Sequence, residues 1–230
     1  MQVLALDTST QWLSLALFDG TRAIAFREQV GNASSERLLP AIRDLLDEAD
    51  VALASLDGIV FGAGPGAFTG VRIACAVAQG LALGADLPVF GVSTLDALAQ
   101  VAWREHGWPR VIACLDARMR EVYVAASERL DNGMASVRGP GVVKPGEILR
   151  PDGGEWWGAG DGFAAYPELA RRLHLVASDA ALIPDAQSLA ECAWPRVVAG
   201  EGVPAERAEP LYVRHRVALT SAERAAGLRL

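Results

Sequence analysis

Residues 2–29 read as three strands in succession before any helix appears, and that opening restricts the fold more than any other stretch. Residues 2–7 form a short apolar strand, and Asp7-Thr8-Ser9-Thr10-Gln11 a polar turn. Residues 12–18 form a second strand, and residues 22–29 a third after the Asp19-Gly20 turn. A nucleotide-binding βαβ protein does not begin this way. An amphipathic helix is expected over 34–50, where Leu38, Leu39, Ile42, Leu45, Leu46 and Ala49 make one stripe and Pro40 bends the early part. A strand at 56–61, a glycine turn, a helix at 68–84 and a strand at 88–92 come next. Ser93-Thr94-Leu95-Asp96 is a capping signal for a helix running to about residue 105.

The second half begins the same way. A strand at 111–115, the polar turn Asp116-Ala117-Arg118-Met119-Arg120 and a strand at 121–128 are followed by a looser stretch, 132–151, rich in Gly and Pro. A strand is expected at 155–159, with helices near 164–173 and 185–194, the latter interrupted by Pro195. The tail from 205 is charged and mixed, with a short helix after Thr220. Two acidic turns, at Asp7 and Asp116, open two strand-rich halves. They predict an internally duplicated α/β architecture with an eroded second copy, one lobe over 1–107 and another over 108–230. The helix from 185 is left free to pack on either lobe.

Composition excludes several functions. Of 230 residues, 51% are hydrophobic, enough for a genuine core. Net charge is -7 with no dense Lys/Arg run, so the chain is not expected to grip RNA unaided. Cys75, Cys114 and Cys192 sit singly in apolar surroundings, which reads as buried, reduced thiols. The start lacks a basic leader, and no apolar run reaches the roughly 20 residues of a membrane span. The expected location is the cytoplasm, away from membranes.

The segment Gly62-Ala63-Gly64-Pro65-Gly66-Ala67 fits a relaxed dinucleotide fingerprint between strand and helix. Pro65 has no N–H to offer a pyrophosphate, and the next strand ends in Ser93 instead of an acidic residue. The Lys-Ser/Thr of a P-loop is missing. The helix that follows is thin on several sides, with Gly70, Ala74, Ala76, Ala78, Gly80 and Ala82. It is either buried on its own sheet or open to close approach by a partner helix. Asp7-Thr8-Ser9-Thr10 suits a magnesium-phosphate group, but also suits a turn satisfied by its own side chains, and the turn is preferred. His106, His174 and His215 lie far apart, no G-x-S-x-G occurs, and Cys75 lies in an apolar helix.

Four stretches together resemble the TsaB (YeaZ) family: Leu4-Ala5-Leu6-Asp7-Thr8-Ser9, Gly64 through Ile73, Asp116-Ala117-Arg118 with Glu121-Val122-Tyr123, and Pro210-Leu211-Tyr212-Val213-Arg214. The resemblance implies a two-lobed actin/sugar-kinase/Hsp70-like fold. It also implies a part in bacterial synthesis of threonylcarbamoyladenosine in tRNA, as partner of the catalytic paralogue TsaD beside the ATPase TsaE. TsaD-like proteins carry a His-x-x-x-His metal pair where this chain has Thr94 and Leu98, so neither a metal site nor transferase or peptidase chemistry is expected. Ser9 and Arg118 replace the glycines of the kinase-type phosphate turns, and each side chain restricts backbone there. No cofactor is expected to be required. Weak ATP or ADP binding through Asp7, Thr8, Ser9, Thr10 and Asp116 stays open, and the rival reading is an ATPase or small-molecule kinase built on Asp7 and Asp116. A dinucleotide-binding protein using residues 62–66 is a third. The expected partner surface comprises Leu38, Leu39, Ile42, Val71, Arg72, Ala74, Cys75 and Ala78. The same surface would form a homodimer in isolation, and tRNA would be met only through the complex.

Overall fold

In a computed structural model the described residues are 1–31, 33–131 and 133–214. The helix expected after Thr220, and His215, lie outside them. The first sheet contains β1 (Val3–Asp7), β2 (Trp12–Phe18), β3 (Ala23–Gln29), β4 (Gly58–Gly64) and β5 (Val89–Ser93), in the order β3-β2-β1-β4-β5. β1 pairs antiparallel with β2 and parallel with β4. The second sheet contains β6 (Arg110–Asp116), β7 (Val122–Leu130), β8 (Gly133–Val143), β9 (Trp157–Ala159) and β10 (Ser178–Asp179), in the order β10-β9-β6-β7-β8. β6 again pairs antiparallel with the next strand and parallel with β9. The two sheets therefore share one plan, three antiparallel strands extended by two parallel ones. This is the duplicated α/β construction of the actin/sugar-kinase/Hsp70-like class.

Strand alternation sorts the first sheet's side chains onto two faces. Leu4, Leu6, Leu13, Leu15, Ile59 and Phe61 meet helices α1 (Ser34–Glu48) and α2 (Phe68–Ala85). Val3, Ala5, Ala16, Val60 and Val92 meet the opposite layer, α6 (Ala186–Val198), together with Ala97 of α3 (Thr94–His106). The helix from 185 thus returns to the first lobe. Its Ala186 N–H donates to Ser14 Oγ at 3.0 Å. Arg104 of α3 fixes its start by an ion pair with Asp185 and a 2.7 Å bond to Ser188. α3 begins as its capping signal implies, with Ser93 Oγ accepting from the N–H groups of Leu95 and Asp96.

Three elements differ from expectation. Residues 133–143, rich in Gly and Pro, form the edge strand β8. The helix near 164–173 divides into α4 (Gly162–Ala165) and α5 (Glu168–Arg172), with Pro167 between them. α6 runs through Pro195 to Val198. α2 is also long and apolar enough, by length and composition alone, to pass for a membrane span; its inner face packs on the first sheet.

Candidate functional site

The glycine segment and the acidic turn, read separately in the sequence, meet each other. Thr8 Oγ1 donates to the Gly70 carbonyl at 2.7 Å, and the Ala67 N–H donates to the Ser9 carbonyl at 2.7 Å. A Cβ on Gly70 would run into the Thr8 carbonyl. The glycines let α2 start directly against the β1–β2 turn of its own lobe, and the close approach they allow is made within that lobe. Thr94, at one position where a metal-binding relative would have histidine, donates through Oγ1 to the Pro65 carbonyl, and Leu98 is buried. Among the described residues no three His, Cys, Asp or Glu side chains gather as a metal site.

Asp7 points toward α3 and α6, because odd-numbered residues of β1 face that layer. It is 1% exposed, and it accepts the Ser9 N–H at 3.2 Å and Ser9 Oγ at 2.9 Å. Burial pushes its pKa up to about 7, the Ser9 bonds pull it down, and the Asp185 charge adds to the rise. The preferred reading of this turn, side chains satisfied locally, is the one the geometry supports.

A cleft of about 940 Å³ lies between the lobes. Of the five candidate phosphate residues, Ser9, Thr10 and Asp116 line it, while Asp7 and Thr8 do not. The kinase reading needs Asp7 and Asp116 to face one ligand, and only Asp116 reaches the space. Asp116 accepts the Arg118 N–H at 2.9 Å and pairs with the Arg118 guanidinium at 3.1 Å. Its own N–H donates to the Asp161 carboxylate at 2.9 Å. Arg118, Met119 and Arg120 all take left-handed backbone, with φ of 60°, 53° and 60°. The side chain at 118 restricts the backbone there, yet Arg118 takes the conformation a glycine would. Three successive left-handed residues are costly and persist only when neighbours enforce them.

Locally the Ala117 N–H donates to the Glu121 carbonyl at 3.0 Å and the Glu121 N–H to the Arg118 carbonyl at 2.9 Å, and the tail adds a hold from outside. The Leu211 N–H donates to the Ala63 carbonyl of the first lobe at 2.7 Å. Three residues on, Arg214 donates to the Ala117 carbonyl at 3.0 Å and to Glu121 at 2.6 Å in the second lobe. The segment therefore straps one lobe to the other across the cleft. Tyr212, Arg214, Tyr123, Trp12, Phe68 and Asp161 are cleft residues that sequence reasoning did not place. For four of them a signal was present: Phe68, Tyr123, Tyr212 and Arg214 belong to the motifs that carried the resemblance.

The expected partner surface needs correction. Leu38, Ile42, Ala74, Cys75 and Ala78 are buried in the monomer, packed between α1, α2 and the first sheet, and Val71 is buried at the cleft wall. Their stripe is how these helices bind their own sheet. Leu39 is 53% exposed and Arg72 is half-buried on the cleft wall. The outward face of α2 instead carries Ala76, Gly80 and Gly84, with Leu83 75% exposed. Cys75 and Cys114 are buried, and burial raises the thiol pKa values of all three cysteines, that of Cys114 to about 12. None is a ready nucleophile.

A family model described as TsaD, tRNA N6-adenosine threonylcarbamoyltransferase, matches residues 28–215. The tRNA threonylcarbamoyladenosine biosynthesis protein TsaB of Escherichia coli K12 is 41% identical over 225 residues, covering 95% of this chain and 96% of that protein. The protein of the same description from Haemophilus influenzae is 36% identical over 226 residues, covering 94% and 95%. The structure of YeaZ from Pseudomonas aeruginosa superposes with a TM-score of 0.85 at 45% identity, covering 92% of this chain and 99% of that one. A second Pseudomonas aeruginosa structure, with the same score and identity, is described as an uncharacterized protein with similarity to the peptidase YeaZ.

Proposed function

Because the chain belongs to the TsaB (YeaZ) branch of the TsaD family, we propose that it is a non-catalytic, cytoplasmic subunit of tRNA threonylcarbamoyladenosine synthesis. It docks on a TsaD-like paralogue through the outward faces of α1 and α2, and a TsaE-like ATPase completes the assembly. It requires no nucleotide of its own, and meets tRNA as part of the complex.

The observation that carries this reading is the unfilled surface of α2. Nothing lies within 4 Å of a Cβ built on Gly80 or Gly84, so a facing helix can approach closely beside exposed Leu83 and Leu39. Large apolar side chains around a small-residue stripe suit a helical contact better than they suit water. Without the paralogue, a second copy of this chain offers the same face, giving an isologous dimer.

The test positions follow from the burial pattern. Ala74 and Ala78 are core, and charging them would unfold the chain. Leu83→Asp and Gly80→Leu alter only the outward face. Calorimetric titration into a TsaD-like paralogue is expected to show at least a tenfold loss of affinity, about 1.4 kcal/mol, in both variants, with cooperative melting retained and that of Gly80→Leu shifted upward by its gain in helix propensity. Wild-type affinity in both variants would place the contact elsewhere.

A further inference from the structure

Arginine–aromatic pairs ring the interlobe cleft from both sides. Arg72 Cζ lies 3.4 Å from the centre of the Phe68 ring and 5.0 Å from that of Tyr212. Arg27 lies 5.0 Å over Trp12, and Arg214 5.6 Å over Tyr123. Phe68, Arg72 and Tyr212 meet on one wall, with Phe68 62% and Tyr212 54% exposed. Arg72 donates to the Phe68 carbonyl at 3.1 Å, and among the described residues it has no carboxylate within 4.0 Å. Across the gap Arg118 exposes 86% of its side chain, anchored at one edge by Asp116. An acidic chain thus presents guanidinium edges and exposed aromatic rings together at one cleft, with Asp116, paired to Arg118, and Asp161 as the carboxylates lining it.

From this juxtaposition we infer that the cleft holds a short single-stranded RNA segment, one base stacked on Tyr212 or Phe68 and an adjacent phosphate on Arg72 and Arg118. Stacking on an aromatic ring with a neighbouring guanidinium for the backbone is how proteins hold unpaired nucleotides without reading their sequence. A free polyphosphate nucleotide fits less well. The glycine turn offers only a partial amide cradle: Pro65 has no N–H, the Ala67 N–H is spent on the Ser9 carbonyl and the Ser9 N–H on Asp7, which leaves Gly66 and the first amides of α2. An acidic peptide would use the guanidinium groups but leave the rings unpaired. A net charge of -7 gives the rest of the surface little hold on a polyanion, so the contact is local and weak, adding a foothold to an assembly. RNA is chosen over DNA on the strength of the proposed role in tRNA modification. Binding is read on the isolated chain, so its failure is separable from failure of the paralogue contact.

The probe is a fluorescein-labelled ten-nucleotide oligoadenylate RNA, followed by anisotropy against the full chain at low salt. Wild type is expected to bind, with a log–log salt slope of about -0.7 to -1.4, the signature of one or two phosphates. Tyr212→Ala is expected to weaken binding at least about fivefold, and Tyr212→Phe, which keeps the ring, to restore it. Arg72→Ala is expected to weaken binding and reduce the slope by about 0.7. Arg43→Ala, an exposed position on α1, serves as control and binds as wild type. Melting curves show that each variant is folded. The inference is overturned by absence of wild-type binding, by wild-type affinity in both Tyr212→Ala and Arg72→Ala, or by displacement of the labelled RNA by magnesium-ATP or hexaglutamate at concentrations lower than unlabelled RNA of the same sequence requires.

Discussion

Replacing Asp7 with Asn should make the protein more stable above neutral pH, although the residue sits in one of the motifs that mark the family. The carboxyl group is sealed behind the first sheet, and burial lifts its pKa from 3.8 to about 7. A folded-state value above the unfolded one means that the native protein favours the protonated form. The stabilisation this provides is complete below about pH 3.8 and is lost as pH rises through 7. At 1.36 kcal/mol per unit, the loss across that window is about 4 kcal/mol. Asparagine cannot ionise and nearly matches the volume. Its Oδ1 can accept the Ser9 N–H, and its Nδ2 can donate to Ser9 Oγ, preserving both bonds of the turn. At pH 8 the variant should therefore exceed wild type by up to about 4 kcal/mol, while near pH 4 the two should agree within about 1 kcal/mol. Urea unfolding followed by tryptophan fluorescence at pH 4, 6 and 8 measures the difference. Parallel stability profiles for variant and wild type would refute the buried-acid argument, and a less stable variant at pH 8 would mean that the charge is needed where it is.

Gly70→Ala gains about 1 kcal/mol of helix propensity but drives a methyl group into the Thr8 carbonyl. A net loss of about 1–3 kcal/mol in chemical denaturation is expected, and a neutral result would mean that the β1–β2 turn yields easily. Arg214→Ala removes charged hydrogen bonds from the strap, costing about 1–2 kcal/mol at this partly buried pair. Hydrogen exchange of the 117–121 amides should rise in the same variant; unchanged protection there would show that the left-handed turn holds itself.

Elements with a clear hydrophobic period were legible because the period is the physical cause of their burial. β2 begins and ends at the expected residues 12 and 18, and α1 turns its apolar stripe inward except for Leu39. β8 was not legible, because Gly139, Pro140 and Gly141 look like turn chemistry. As an edge strand with a register shift, between the Val124–Gly141 and Ala126–Arg138 pairs, it needs no N–H at Pro140. α6 outran its proline for a tertiary reason. Trp194 packs edge-on against Phe18 at 5.2 Å, Val197 is buried, and Arg196 reaches the Gly91 carbonyl at 2.9 Å. Those contacts hold the last turn where local propensity would end it.

The partner surface was misread for a related reason. A stripe of leucines on one helix and small residues on the next says that something packs there, but a single sequence does not say whether the sheet beneath or a protein above does so. α1 and α2 each have two packable sides, and the sheet took the side with the strongest period, Leu38, Ile42, Ala74 and Ala78. What remains outside is irregular: Leu39, Ala76, Gly80 and Leu83. The cleft was harder still, because Trp12, Phe68, Tyr123 and Tyr212 come from four separate stretches. Only the strap from Leu211 to Arg214 brings the last of them across. A chain that spends most of its glycine turn and its first aspartate on internal packing has few amides left with which to hold a phosphate by backbone, and what the cleft retains is ring faces and guanidinium edges beside the carboxylates of Asp116 and Asp161. That inventory, more than any missing imidazole, decides what the space between the lobes can hold.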